Sequence, residues 1–173
     1  MPTRRQFLKY GVAGALTLTA AGIARSQPAD RVYRAASGEE PLTVLGAEDR
    51  AVLAAIAPAM LAGTGAAPER RDAVVGSVDR AVAGLSPHLQ REILQLLALL
   101  GSWPGRRWIA GVAPPWPEAS REEVAAFLER WRLSRWALLQ QGYHALHDLV
   151  LAAWYARPDS WAAIGYPGPP VVK

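Results

Sequence analysis

Between Ser86 and Gly101 five apolar residues, Leu89, Ile93, Leu96, Leu97 and Leu100, recur at i, i+4, i+7, i+8 and i+11. That spacing lines one side of a helix with 3.6 residues per turn and suits neither face of a strand. Ser86-Pro87 supplies an N-cap followed by proline at the first helical position, where a missing N–H costs nothing. Gly101 is expected to end the helix in the left-handed cap conformation.

The same period recurs on both sides of this helix. Val52, Leu53, Ile56 and Met60 predict a helix starting near Gly46, which Pro58 must kink or end early; Gly63, Gly65 and Pro68 then break the chain. Residues 69–85 place Val74, Val75, Val78 and Val82 on one side, with Arg70, Arg71, Asp72, Asp79 and Arg80 largely outside, and Gly84 stops the helix. Ser120 and Glu123 form a capping box that opens a fourth helix carrying Val124, Phe127, Leu128 and Trp131 on one face. A fifth, from near Ser134 to Ala156, gathers Trp136, Leu139, Tyr143, Leu146, Val150 and Trp154 in one sector with Leu138 and Leu149 opposite, which predicts a central helix. No stretch alternates with period two for long enough to make a sheet. The expected fold is all-α, a small bundle of four to five helices without internal repeats.

Two segments carry no period. Residues 102–119 hold Trp103-Pro104-Gly105, Arg106-Arg107-Trp108 and Pro114-Pro115-Trp116-Pro117. An irregular loop of this length with three tryptophans is expected to serve packing or contact. After Arg157-Pro158 the chain reads Asp-Ser-Trp-Ala-Ala-Ile-Gly-Tyr-Pro-Gly-Pro-Pro, an extended Pro/Gly-rich tail from about residue 158 that holds Trp161 and Tyr166 on a rigid frame. Such a frame loses little entropy when it docks, on a partner or back on its own domain.

The N-terminus is a targeting segment. Thr3-Arg4-Arg5-Gln6-Phe7-Leu8-Lys9 looks like the twin-arginine export signal of bacteria, with Arg4, Arg5, Phe7, Leu8 and Lys9 at its matching positions. The uncharged run from Tyr10 to Ala24 is 15 residues of weak hydrophobicity, against about 20 needed to cross a bilayer, so it reads as a cleavable signal rather than an anchor. The organisation expected is a signal peptide over 1–24, an extended leader over 25–45 and one helical domain over 46–173.

Charge follows from that division. The formal net charge is +4, yet four of the 19 basic residues precede Gln27 and none of the 15 acidic ones does, so the mature chain is neutral. A neutral domain lacks the footprint for nucleic acid or for a basic membrane patch. Cysteine is absent, which excludes thiolate-held clusters, Cys-ligated zinc, disulfides and attached c-type haem.

The signal, the short cysteine-free helical body, the Ala55-Ile56-Ala57-Pro58 pattern and the tail together resemble the small accessory subunits of periplasmic flavin-dependent dehydrogenases of the glucose-methanol-choline type. That family is typified by the third subunit of gluconate 2-dehydrogenase. The resemblance implies a non-catalytic subunit needed for folding, stability and twin-arginine export of a large FAD-dependent oxidoreductase. FAD then belongs to the partner and no cofactor to this chain; the translocase is a second partner, and a cytochrome c subunit is left open. Localisation would be periplasmic, with any membrane association made through partners. Carried over residue by residue, the contacts would be Trp161, Gly165, Tyr166, Pro167, Gly168 and Pro169.

One cluster of its own suggests a rival. His144, His147 and Asp148 lie at i, i+3 and i+4, so a stand-alone periplasmic metal-binding protein or enzyme could use them. The helical arithmetic favours instead a packed His147 and a surface His144–Asp148 pair. No Gly-x-Ser-x-Gly or Gly-x-Gly-x-x-Gly element occurs. A lone structural module is the third reading.

Overall fold

The computed structural model describes residues 43–64 and 71–168. Five helices of 12 to 19 residues make an all-α bundle: α1 (Ala47–Met60), α2 (Arg71–Ala83), α3 (Pro87–Gly101), α4 (Arg121–Arg132) and α5 (Ala137–Tyr155). A single turn, α6 (Pro158–Trp161), follows, and no strand occurs among the described residues. The expected signal and most of the expected leader lie outside the described residues, as do Gly65 and Pro68.

The central helix is α1 rather than α5. It packs against α2, α3, α4 and α5 together. Its sequence explains why: Val52, Leu53, Ile56 and Ala57 are fully buried, and Ala51, Ala54, Ala55 and Ala59 between them are small enough to admit neighbours on several sides. Burial of each large aliphatic chain contributes about 1.5–3 kcal/mol. Pro58 falls in the last turn, so the helix ends two residues beyond it. In α5, Leu146, Val150 and Trp154 are buried, but Leu138 is 76% exposed and Trp136 is the N-cap, outside the helix and exposed. Leu139, in the same first turn, is partly buried against the core.

Helix α4 starts as its capping box dictates: Ser120 Oγ accepts from the Glu123 N–H (3.2 Å) and Glu123 Oε2 accepts from the Ser120 N–H (3.0 Å). Its Phe127 and Trp131 continue an edge-to-face ladder that starts before the helix at Trp116, Trp116 to Phe127 (5.7 Å) to Trp131 (4.9 Å). The Trp131 ring lies on α5 at Gly142, where a Cβ would sit 2.6 Å from it.

The largest departure from the sequence pattern is Asp79. Expected on the outer face of α2, it is only 3% exposed. Its Oδ2 accepts from the Thr43 N–H (2.7 Å) and hydroxyl, and its Oδ1 from the N–H groups of Val44 (3.0 Å) and Leu45 (2.9 Å). One carboxylate thus pins the chain that enters α1, with Leu45 seated in the core beneath it. Burial works to raise its pKa; the Thr43 hydroxyl and the three backbone donors outweigh this and hold it below the ordinary aspartate value.

Helix α3 also ends differently. Gly101 is its last helical residue, and the left-handed glycines are Gly63, Gly111, Gly165 and Gly168. The extended Ser102 stops the helix while its hydroxyl donates to the Leu99 carbonyl (2.7 Å), giving that orphan acceptor a partner without a left-handed residue.

Replacing Asp79 with Ala leaves the Val44 and Leu45 N–H groups without their acceptor and should cost roughly 2–4 kcal/mol. Because the folded pKa is depressed, the carboxylate's contribution is present above the unfolded value and is lost as pH falls through the folded one. Urea unfolding should therefore show the gap between wild type and Asp79→Ala narrowing on acidification below about pH 4.

Candidate partner-binding surface

The tail is a hook rather than an extended arm. Proline at the first position of α6 starts a helical turn that continues as a 3-10 turn over Ala162–Ile164, correcting the expectation that this stretch stays extended. Gly165, at φ 67°, turns the chain so that the Tyr166 N–H reaches the Trp161 carbonyl (3.0 Å). Gly168, at φ 101°, then brings its backbone onto the Trp161 indole, where a Cβ would sit 3.1 Å from the ring. Trp161 and Tyr166 meet edge to face at 5.4 Å. The indole donates to the Tyr155 carbonyl (2.9 Å), tying the hook to the end of α5, and Arg157 grips Asp159 through two bonds of 3.0 and 2.8 Å.

Of the tail positions expected to bind a partner, Trp161, Gly165, Tyr166, Pro167 and Gly168 lie together in this hook. Trp161 and Gly168 are half-buried in it, while Gly165, Tyr166 (44% exposed) and Pro167 face outward. Folding back on the domain and presenting a ring to solvent are thus both realised. Pro169, like Arg4, Arg5, Phe7, Leu8 and Lys9, lies outside the described residues.

Residues 102–119 divide their tryptophans between two roles. Trp116 is a core residue whose indole donates to the Leu100 carbonyl (2.8 Å). Trp103 and Trp108 are 58% and 71% exposed and stand edge to face at 5.0 Å. Trp108 is carried on a wide π turn, Gly105–Ala110, and Trp103 stands two residues before that turn begins. The turn is possible because residue 105 is glycine: a Cβ there would lie 1.8 Å from the Leu99 carbonyl oxygen. The buried Arg106 fixes it by donating to the carbonyls of Val112 (3.3 Å), Ala113 and Pro114. An open cleft of about 360 Å³ separates Trp103 from the first turn of α1, with Glu48, Arg106 and Trp116 on its walls.

The histidine cluster does not converge. His147 Nδ1 meets Asp148 Oδ1 at 3.1 Å, its immediate neighbour, and the His147 ring stacks on Tyr143 at 5.5 Å. His144 is exposed with its ring edge-on to Tyr143, so the expected His144–Asp148 pair is replaced by His147–Asp148. Among the described residues, no group of three or more His, Asp or Glu side chains is placed to hold a metal ion.

In comparisons with protein families, curated proteins and solved structures, no family model, protein or structure matches this chain.

Gly168→Ala forces a strained φ and presses a methyl on the indole, so the hook should open. Amide exchange at the Tyr166 N–H should accelerate, while global stability changes by less than about 1 kcal/mol, since the core is untouched.

Proposed function

We propose that this chain is a non-catalytic small subunit, exported folded by the twin-arginine route, that binds and matures a large FAD-dependent alcohol or sugar dehydrogenase in the periplasm. The observation that carries the reading is the tail. Its rings are set on a frame of two left-handed glycines and a proline, one ring anchored and the other offered outward. Side chains held this way lose little rotamer freedom on docking, which is what a permanent subunit contact needs. The paired arginines at the other end of the chain support an address shared with a partner.

On this reading the substrate pocket and the flavin belong to the other chain, and this chain contributes folding, stability and delivery. A cytochrome c subunit would be a further member, and the membrane would be reached through such partners.

The test is a pull-down of the tagged mature domain from periplasmic extract, with an absorption spectrum of what co-elutes. A flavin-bearing protein several times larger is the expected result; a domain that elutes alone and colourless overturns the subunit reading. In parallel, Arg4→Lys with Arg5→Lys should leave the flavoprotein in the cytoplasm, and its normal export would sink the shared signal.

A further inference from the structure

Arg157 stands at the junction of α5 and α6, and all three of its side-chain nitrogens donate. Nε and Nη2 clasp the two oxygens of Asp159 in α6 (3.0 and 2.8 Å). Nη1 points the other way, to the Ala73 carbonyl (3.2 Å) and the Ser77 hydroxyl (3.4 Å) of α2, residues 84 and 80 positions away in the chain. One guanidinium therefore joins the tail to a helix far from it in sequence.

Ser77 is placed to receive it. It interrupts the valine face of α2 and is only 8% exposed, yet its hydroxyl is fully engaged. It donates to the Ala73 carbonyl (3.0 Å) and accepts from Arg80 Nη2 (3.2 Å) as well as from Arg157. A buried hydroxyl costs stability unless it is bonded in this way.

The other ties of the hook are local. The Trp161 indole reaches back six residues to the Tyr155 carbonyl, and the buried Ser160 hydroxyl donates to the Arg157 carbonyl (2.7 Å). These bonds shape the hook against the end of α5, and neither reaches another helix. Packing does not supply the direction on the α2 side, because an open cleft of about 670 Å³ lies there, bounded by Ser77, Ala81, Ala153, Pro158 and Asp159. Where packing leaves room, direction has to come from bonds.

We propose that Arg157 is a positioning residue that locks the hook to α2, so that the outward Tyr166 ring meets the large subunit in one orientation. The role in docking rests on the subunit reading above; the lock itself rests on bonds within this chain. Its chemistry requires arginine. A lysine offers a single nitrogen on a flexible stem and cannot clasp both Asp159 oxygens while also donating to α2.

The chain has no cysteine, so Ala83→Cys on α2 and Ala163→Cys in the hook, both exposed, give two unique sites for spin labels. Electron–electron distance measurement on the tagged full-length chain should give one narrow distribution. Arg157→Lys and Arg157→Ala should each broaden it while circular dichroism keeps the wild-type helicity. Arg157→Asp with Asp159→Arg rebuilds an ion pair inside the hook without the bonds to α2, so the distribution should stay broad. A narrow distribution in Arg157→Ala, or one restored by the exchange, overturns the lock. In unlabelled chains, flavin absorbance recovered per mole of tagged chain from the cells that make it should fall about tenfold in Arg157→Lys, as for a docking element correctly oriented a tenth of the time. Recovery at the wild-type level, with the distribution broad, overturns the positioning role. If wild type itself recovers no flavoprotein, the subunit reading fails and the role in docking with it, whereas the distances still decide whether the lock exists.

Discussion

The bundle depends on a helix that four others can approach at once. In α1 the large residues Val52, Leu53 and Ile56 fill the core, and the alanines beside them let α2, α3, α4 and α5 come close. A helix buried on so many sides must have its first turn fixed, since a shift there would move every neighbour. Asp79 and Asp49 do this in series. The first binds three N–H groups and a hydroxyl just before the helix; the second accepts from the Gly46 N–H at its N-cap (3.0 Å). Both carboxylates are buried, and burial is tolerable because backbone dipoles supply the solvation that water would have given.

How far the sequence foretold this depends on the range of the interaction. The α4 capping box joins residues three apart, and the valine stripe of α2 repeats within one helix, so both were legible. Asp79 was not: its partners lie 34 to 36 residues away, and helical arithmetic sets it only at the edge of the valine stripe, beside Val75 and Val82. When a leader crosses that edge of α2, a position read as solvated becomes internal. The reverse happened in α5, where the period identified the helix but could not show which side of its first turn packs: Leu139 lies against the core and Leu138 is left in solvent. Centrality passed to α1, whose alanines weaken its periodic signal while improving its fit.

The tryptophans show the same limit from another side. Trp103, Trp108 and Trp116 sit within fourteen positions in one aperiodic stretch, yet only Trp116 enters the core. Its indole meets the free carbonyl of Leu100 near the end of α3, a satisfied buried donor of the kind that fixes an aromatic inside. Trp103 and Trp108 cannot follow, because Gly105 and Arg106 occupy the inner side of the π turn: the glycine lies on Leu99, and the guanidinium spans three carbonyls. Whatever stands on the outer side of that turn must face solvent or a partner.

The tail reaches a similar end by a different route. Its proline and glycines cannot sustain a long helix, and without an anchor such a segment would sample many states. The Trp161 indole supplies the anchor by donating to the last turn of α5, and the two left-handed glycines close the chain over its ring. The conformational entropy is given up on folding rather than on binding. Both exposed aromatic sites, the hook and the π turn, therefore share one physical design: a glycine where a side chain would clash, a side-chain donor holding backbone carbonyl oxygen, and rings left outside with little freedom to lose.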